Sequence, residues 1–345
     1  MHPAIVRCDE REVDGVRVVI AGFGGRSTFW LAACRAERVD VAGVADPSAG
    51  GRGDAARQGL RTWESLEAAL EDPWDAAIVA SHDRLHLGDV RTCIAAGRPS
   101  VVERPVATSW RDVMALARES REAGVPVLVA QYYRFIRREV VLRRLLAQGV
   151  VGRALRVTVA STLTRQPYLR SPDEILWHFG IHQWDALRTR FGGPPDSIHM
   201  RPLPEVSAGT SFGASLVWEG GPEVSYLHHD GTDPMGYHEW VGCETGSLVV
   251  LAERVFVDQR GTRLRRVWRP RRVDADRPFL RGLEAAVAGR PPGDLGIRDN
   301  LQTIAMLEAA RRSIASGEPA RVGDVLAEAS DVLADGSPTR PPRGD

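Results

Sequence analysis

A chain of 345 residues, 43% hydrophobic and 26% charged, has the make-up of a soluble globular protein and enough length for two domains of average size. Its 45 acidic and 45 basic side chains cancel, which leaves no whole-molecule field to hold it on nucleic acid or an anionic membrane. It has no apolar run long enough to span a bilayer.

The first thirty residues place Asp9, Glu10, Glu12 and Asp14 ahead of a short apolar run. That is the reverse of a secretory leader, and a cytoplasmic protein is expected. From 16 to about 130, short β-branched runs at 16–21, 39–45, 76–80, 100–103 and 125–130 alternate with amphipathic stretches near 25–36, 64–70, 84–97 and 108–124. The runs lack polar alternation, so they predict strands buried on both faces. The expected fold class is α/β, with a doubly wound parallel sheet over 1–130 as a dinucleotide-binding domain. After 131 a helix is predicted near 135–148, a strand at 154–163 and a helix near 174–191. Alternating segments at 211–218, 223–229, 239–242 and 247–251 then predict a large, mostly antiparallel sheet. Helices near 276–289 and 299–316 complete a second domain, 131–334, and 335–345 is expected to be a disordered tail.

The first run leads into Gly22-Phe23-Gly24-Gly25-Arg26-Ser27, a G-x-G-x-x-S form of the dinucleotide fingerprint at the start of a helix. Gly22 permits a tight turn, Gly24 lets backbone approach a pyrophosphate, and the helix start supplies N–H donors. Ser27 replaces the third glycine. Asp46 closes the second strand 24 residues after Gly22, where a carboxylate accepts from the adenosine ribose and repels a 2′-phosphate. NAD is therefore the preferred cofactor; Arg26 or Arg52, able to offset a 2′-phosphate, leaves NADP open.

Four further segments follow in order: Ala80-Ser81-His82 with His86, Val101-Val102-Glu103-Arg104-Pro105, Tyr132-Tyr133-Arg134-Phe135, and 178–185 from His178 through His182 to Asp185. With these the chain resembles the glucose–fructose oxidoreductase, inositol dehydrogenase and rhizopine-catabolism (Gfo/Idh/MocA) family from residue 16 to about 322. The resemblance implies a Rossmann domain followed by an α/β domain with an open-faced sheet. It also implies NAD(P)-dependent dehydrogenases or reductases of sugars, cyclitols and related compounds, paired as homodimers or homotetramers through that sheet. In the family an E-K-P segment lies beside the nicotinamide, and its lysine shares a proton relay with the Asp and His of a D-x-G-x-H helix. Glu103, Pro105, Gly180 and His182 match. Arg104 stands for the lysine, and His178 for the aspartate.

The substitutions change the chemistry. All 45 basic residues are Arg, and a guanidinium keeps its proton at working pH, so Arg104 can anchor an oxyanion but not shuttle a proton. The proton must pass to His182 as general acid/base, with His178 as relay. On an α-helix, His178, His182 and Asp185 share a face, and Asp185 could orient His182. The same triplet could be read as metal ligands, but no fourth ligand is evident and no metal is expected. Ser81, His82 and His86 are expected along the cofactor edge, while Tyr133, Arg134, Trp177 and Asp185 are candidate substrate contacts.

Cys8, Cys34, Cys93 and Cys243 are widely spaced and read as reduced thiols. Six arginines between 263 and 272 alternate with apolar residues, the pattern of a strand edge more than of a nucleic-acid surface. The leading function is secondary alcohol/ketone hydride transfer on a small polyhydroxylated substrate. The alternatives are reduction of a C=N bond, a catalytically silent NAD-binding sensor, and a metal-assisted lyase or epimerase.

Overall fold

The computed structural model describes residues 15–163, 169–203, 210–230, 236–259, 265–266 and 275–334. The tail expected at 335–345 and Cys8 lie outside the described residues, as do the side chains of the 263–272 arginines.

Strands β1 (Arg17–Ala21), β2 (Asp40–Ala45), β3 (Thr62–Trp63), β4 (Ala76–Val79), β5 (Ser100–Val102) and β6 (Val127–Val129) form a six-stranded sheet. They are all parallel, in the order β3-β2-β1-β4-β5-β6. Val18 to Ile20, Ala76 to Val79 and Val101 to Val102 are buried on both faces, the reason these runs carry no polar alternation. Helices α1 (Gly25–Glu37), α2 (Ala49–Arg57), α3 (Asp83–Ala95) and α4 (Trp110–Ala123) cover the sheet. Strand order reverses between β1 and β4, which opens a crevice at their carboxyl ends. The helix expected near 64–70 shrinks to a 3₁₀ turn at Ala68–Glu71.

The second half begins with α5 (Arg137–Ala147), β7 (Ala154–Leu163), α6 (Pro172–Ile175) and α7 (Ile181–Phe191). Its sheet adds β8 (Ser197–Pro202), β9 (Phe212–Val217), β10 (Glu223–Asp230), β11 (Tyr237–Cys243), β12 (Gly246–Leu251), β13 (Arg254–Gln259), β14 (Arg265–Arg266) and β15 (Ala320–Arg321). The order is β14-β13-β12-β11-β7-β10-β9-β8-β15, antiparallel except for β7 beside β10. The backbone of Arg265–Arg266 is thus an edge strand, as the alternation predicts. One face packs Phe212, Leu216, Val224, Tyr226 and Val241 into the core; the other exposes Leu155, Leu227, Trp240 and Leu251.

Two last helices bind the halves together. In α8 (Arg277–Val287), Phe279, Leu280 and Leu283 enter the core of the first domain beside Ile20 and Trp30, so that core is completed by residues far beyond 130. In α9 (Ile297–Ser316), Leu301, Ile304 and Leu307 join the core of the second sheet. Cys34 and Cys93 are free and buried, their thiols pushed up to about 12 by that burial. Among the described residues no helix is long and apolar enough to cross a membrane.

Candidate active site

The loop after β1 is shaped for close approach. Gly22 has φ +83°, and a Cβ there would stand 2.3 Å from the Ser81 Cα, so glycine alone lets the turn lie against the end of β4. Gly24 and Gly25 face open space, with nothing within 4 Å of a Cβ. The first-turn amides of α1 have no intrahelical acceptor and point where an anion would be held. Ser27 is fully buried and donates its hydroxyl to the Gly22 carbonyl at 2.8 Å. It ties the loop where the fingerprint has its third glycine. The residues present therefore fit a dinucleotide.

Asp46 is joined to this loop. It accepts the Phe23 N–H at 2.7 Å and, on its other oxygen, the Ser48 N–H and hydroxyl at 2.8 and 2.7 Å. Among the described residues Oδ2 has that single donor, which leaves it a lone pair for a ribose hydroxyl. The two arginines that could offset a 2′-phosphate are both committed. Arg52 donates to the carbonyls of Asp46 and Pro47 and pairs with Glu64 at 3.1 Å. Arg26 pairs with Glu103 at 2.5 Å and with Asp276, its guanidinium 5.0 Å from the Tyr132 ring. Glu103 also accepts from the Trp30 indole at 2.8 Å.

A cleft of about 410 Å³ opens at the carboxyl end of the first sheet, lined by Ser81, Asp83, Arg104 and Pro105 of one domain and Glu174 and His178 of the other. His86, buried, bridges the carbonyls of Ser81 and Pro105 at 2.9 and 2.8 Å, so it fastens the cleft wall from behind. His82 caps α3 from an exposed position and pairs with Asp83. Ser81 donates to Asp89 at 2.6 Å.

The expected helix near 174–191 is not one continuous α-helix. Between α6 and α7 runs a π turn, Leu176–Gly180, where Gly180 lies so near Leu176 that a Cβ would meet its Cδ1 at 2.7 Å. This wide turn removes the i, i+4 relation on which the shared histidine face depends. His178 faces the cleft: its Nε2 lies 3.5 Å from Asp83 Oδ2, and its carbonyl accepts from Arg104 at 3.2 Å. Burial lowers its pKa and Arg104 adds to this, against the pull of Asp83, so the net shift is downward. His182 lies deeper, stacked on Tyr133 at 4.4 Å and edge-on to Tyr132 at 4.6 Å. Burial, with Arg104, Arg26 and Arg138 nearby, pushes its pKa well down and holds it neutral. Of the two histidines expected to carry the proton, His178 lines this cleft and His182 does not.

Asp185 does not orient His182. It is fully buried and takes both Arg134 nitrogens at 2.6 and 2.8 Å, Arg188 at 3.2 Å and the Thr303 hydroxyl at 2.5 Å. Burial would raise its pKa, but Arg134 and Arg188 hold it below the usual carboxylate range. Arg134 is spent in this junction, with Asp299 as a second partner, and Trp177 is buried in the core of the second domain. Neither lines the cleft. Tyr133 does not line it either but stacks under His182. Among the described residues no three His, Cys, Asp or Glu side chains gather as a metal requires. Sequence reasoning missed Asp83, Ser48 and Glu174. Asp83 reads as an ordinary acid in the first turn of a helix.

Residues 16–131 match the profile of the family described as "Oxidoreductase family, NAD-binding Rossmann fold". The chain is 22% identical over 290 residues to the rhizopine catabolism protein MocA of Rhizobium meliloti, covering 81% of this chain and 88% of that one. It is 25% identical over 290 residues to an inositol 2-dehydrogenase 2 of Paenarthrobacter aurescens, covering 79% and 87%. An oxidoreductase from Agrobacterium radiobacter, solved with NAD+, L-tartaric acid and magnesium, superposes with a TM-score of 0.78 at 19% identity, over 90% of this chain and 99% of its own. At that identity the superposition shows a common fold.

Proposed function

We propose that this chain, which belongs to the Gfo/Idh/MocA oxidoreductase family, exchanges hydride between a nicotinamide dinucleotide and a small polyhydroxylated substrate, interconverting secondary alcohol and ketone. The reading rests on one observation: Arg26 from the glycine loop, Glu103-Arg104-Pro105 and His178 of the other domain line a single cleft. The loop Gly22 to Ser27 would hold the pyrophosphate and Asp46 the adenosine ribose. With Arg26 and Arg52 committed elsewhere, NAD is favoured over NADP. When bound, the dinucleotide supplies or accepts the hydride; this chain's residues handle the proton and the charge. His178, kept neutral, takes or returns the hydroxyl proton. Arg104 stabilises negative charge developing on the reacting oxygen. His182, fixed on Tyr133, backs that site.

Titration calorimetry should show NAD+ bound at least about tenfold more tightly than NADP+, and a panel of polyols and sugars should yield NADH. The His178→Gln variant should keep the dinucleotide affinity and lose turnover by about a hundredfold or more. No affinity for either dinucleotide would overturn the reading. The reading includes self-association through the open face of the second sheet, which is supported by Leu227 and Trp240, each 45% exposed. A Trp240→Glu variant should sediment as a smaller species than the parent.

A further inference from the structure

The cleft also carries information about what the substrate bears, on the assumption that the hydride-transfer reading holds. Arg26 at the cleft, and Arg134 and Arg190 elsewhere in the fold, are matched: Arg26 by Glu103 and Asp276, Arg134 by Asp185 and Asp299, and Arg190 by Glu139 and Glu239. Arg104 is not. Among the described residues its one partner is the neutral His178 carbonyl at 3.2 Å, and its buried Nε has none. The carboxylates around the cleft are already engaged: Glu103 by Arg26 and Trp30, Asp83 by His82 and His178, and Glu174 by the Arg170 N–H at 2.5 Å. A half-buried guanidinium left in this state is a site for an anion, and its planar fork fits the two oxygens of a carboxylate.

We infer that the substrate is a polyhydroxy acid, with its carboxylate on Arg104 and its reacting carbinol beside His178. Asp83 acts as a positioning residue: by facing Nε2 it leaves Nδ1, which has no partner among the described residues, to meet the hydroxyl. In the oxidising direction the O–H bond breaks and its proton passes to His178 Nδ1. The C–H bond breaks and its hydride leaves to the oxidised dinucleotide. A C=O bond forms next to the carboxylate, so a 2-hydroxy acid becomes a 2-oxo acid and the dinucleotide is reduced.

The test compares matched pairs on the full chain with NAD+: D-gluconate against D-glucitol, and L-tartrate against L-threitol. Wild type should favour each acid over its neutral partner in kcat/KM by about ten- to a hundredfold, the range of a charged hydrogen-bonded contact. In Arg104→Gln that preference should vanish, and oxalate titrated onto the NADH-loaded protein should bind at least about tenfold more weakly. Asp83→Asn should leave KM for the acid unchanged and lower kcat. Its acid limb should move down by about one pH unit, because a carboxylate beside an imidazole favours the protonated form. Preference for the neutral polyols, or acid preference that survives Arg104→Gln, overturns the inference and leaves hydride transfer standing. Absence of NADH binding to the wild type would instead overturn the reading beneath it.

Discussion

Arg134 and Arg188, packed with helix α7, treat charge in a way opposite to Arg104, which meets the turn before that helix. On the junction side Arg134 and Arg188 share Asp185 and Asp299, and each side chain is nearly closed to solvent. On the cleft side Arg104 has a backbone carbonyl and no carboxylate among the described residues. Burying a guanidinium is tolerable when carboxylates and hydrogen bonds surround it, and one without them persists only where something else supplies the countercharge. The matched set ties the turn at Tyr132–Phe135 to α7 and α9 within the second domain; the unmatched one is the group that the proposal above gives a ligand.

The sharpest way to break this division is to disturb each side in turn. Asp185→Ala leaves two buried guanidiniums with Asp299 as their one shared carboxylate and should cost about 3–5 kcal/mol, enough to remove much of the stability of an ordinary domain. Arg104→Gln should change the free energy of urea unfolding by no more than about 0.5 kcal/mol. Equal losses in the two variants would show that Arg104 is structural after all.

A smaller effect separates the two histidines by pH. His182 is held neutral, with its folded pKa well below the ordinary value, whereas the unfolded chain binds a proton near pH 6.5. The stability this burial brings is present above about pH 6.5 and is lost as pH falls toward the folded pKa, at up to about 1.4 kcal/mol per pH unit for one proton. Urea midpoints taken at pH 5, 6, 7 and 8 should show this slope in the parent. His182→Phe, which keeps a ring on Tyr133 and removes the titrating group, should flatten it, while His178→Gln should change it less, because His178 is less buried and Asp83 opposes part of its shift.

The uneven legibility of the sequence follows the same line. The parallel sheet was readable because strands buried on both faces must be apolar throughout, and the glycine loop because only Gly22 fits against Ser81. Helix α2 was not, since AGGRGDAAR has poor helix propensity and is started by the Ser48 cap. Strands β8 and β13 went unseen: β8 ends on Arg201 and Pro202, and β13 is bounded by charged residues at the sheet margin. In the site, the types of residue were visible and their order was not. A π turn has no simple sequence signature, so nothing foretold that His178 would face the cleft while His182 stacked behind it. Arg134 and Asp185 looked equally available until the fold showed each consuming the other.

Asp46 lies between the two extremes and provides the finest test. It is a buried carboxylate whose side-chain partners, the Phe23 N–H and the Ser48 N–H and hydroxyl, are all neutral donors. Its negative charge is therefore oriented without being cancelled, which is what discrimination against a 2′-phosphate requires. Ser48→Ala removes the hydroxyl donor to Asp46 and the side-chain cap that accepts the Gly51 N–H at 3.0 Å. The lost cap should cost about 1 kcal/mol in urea unfolding. If the oriented carboxylate sets cofactor choice, the same variant should narrow the ratio of NAD+ to NADP+ affinity by several-fold, because a freed Asp46 can turn away from the ribose. A ratio that holds while stability falls would assign the discrimination to the shape of the loop, leaving Asp46 only the task of fastening Phe23.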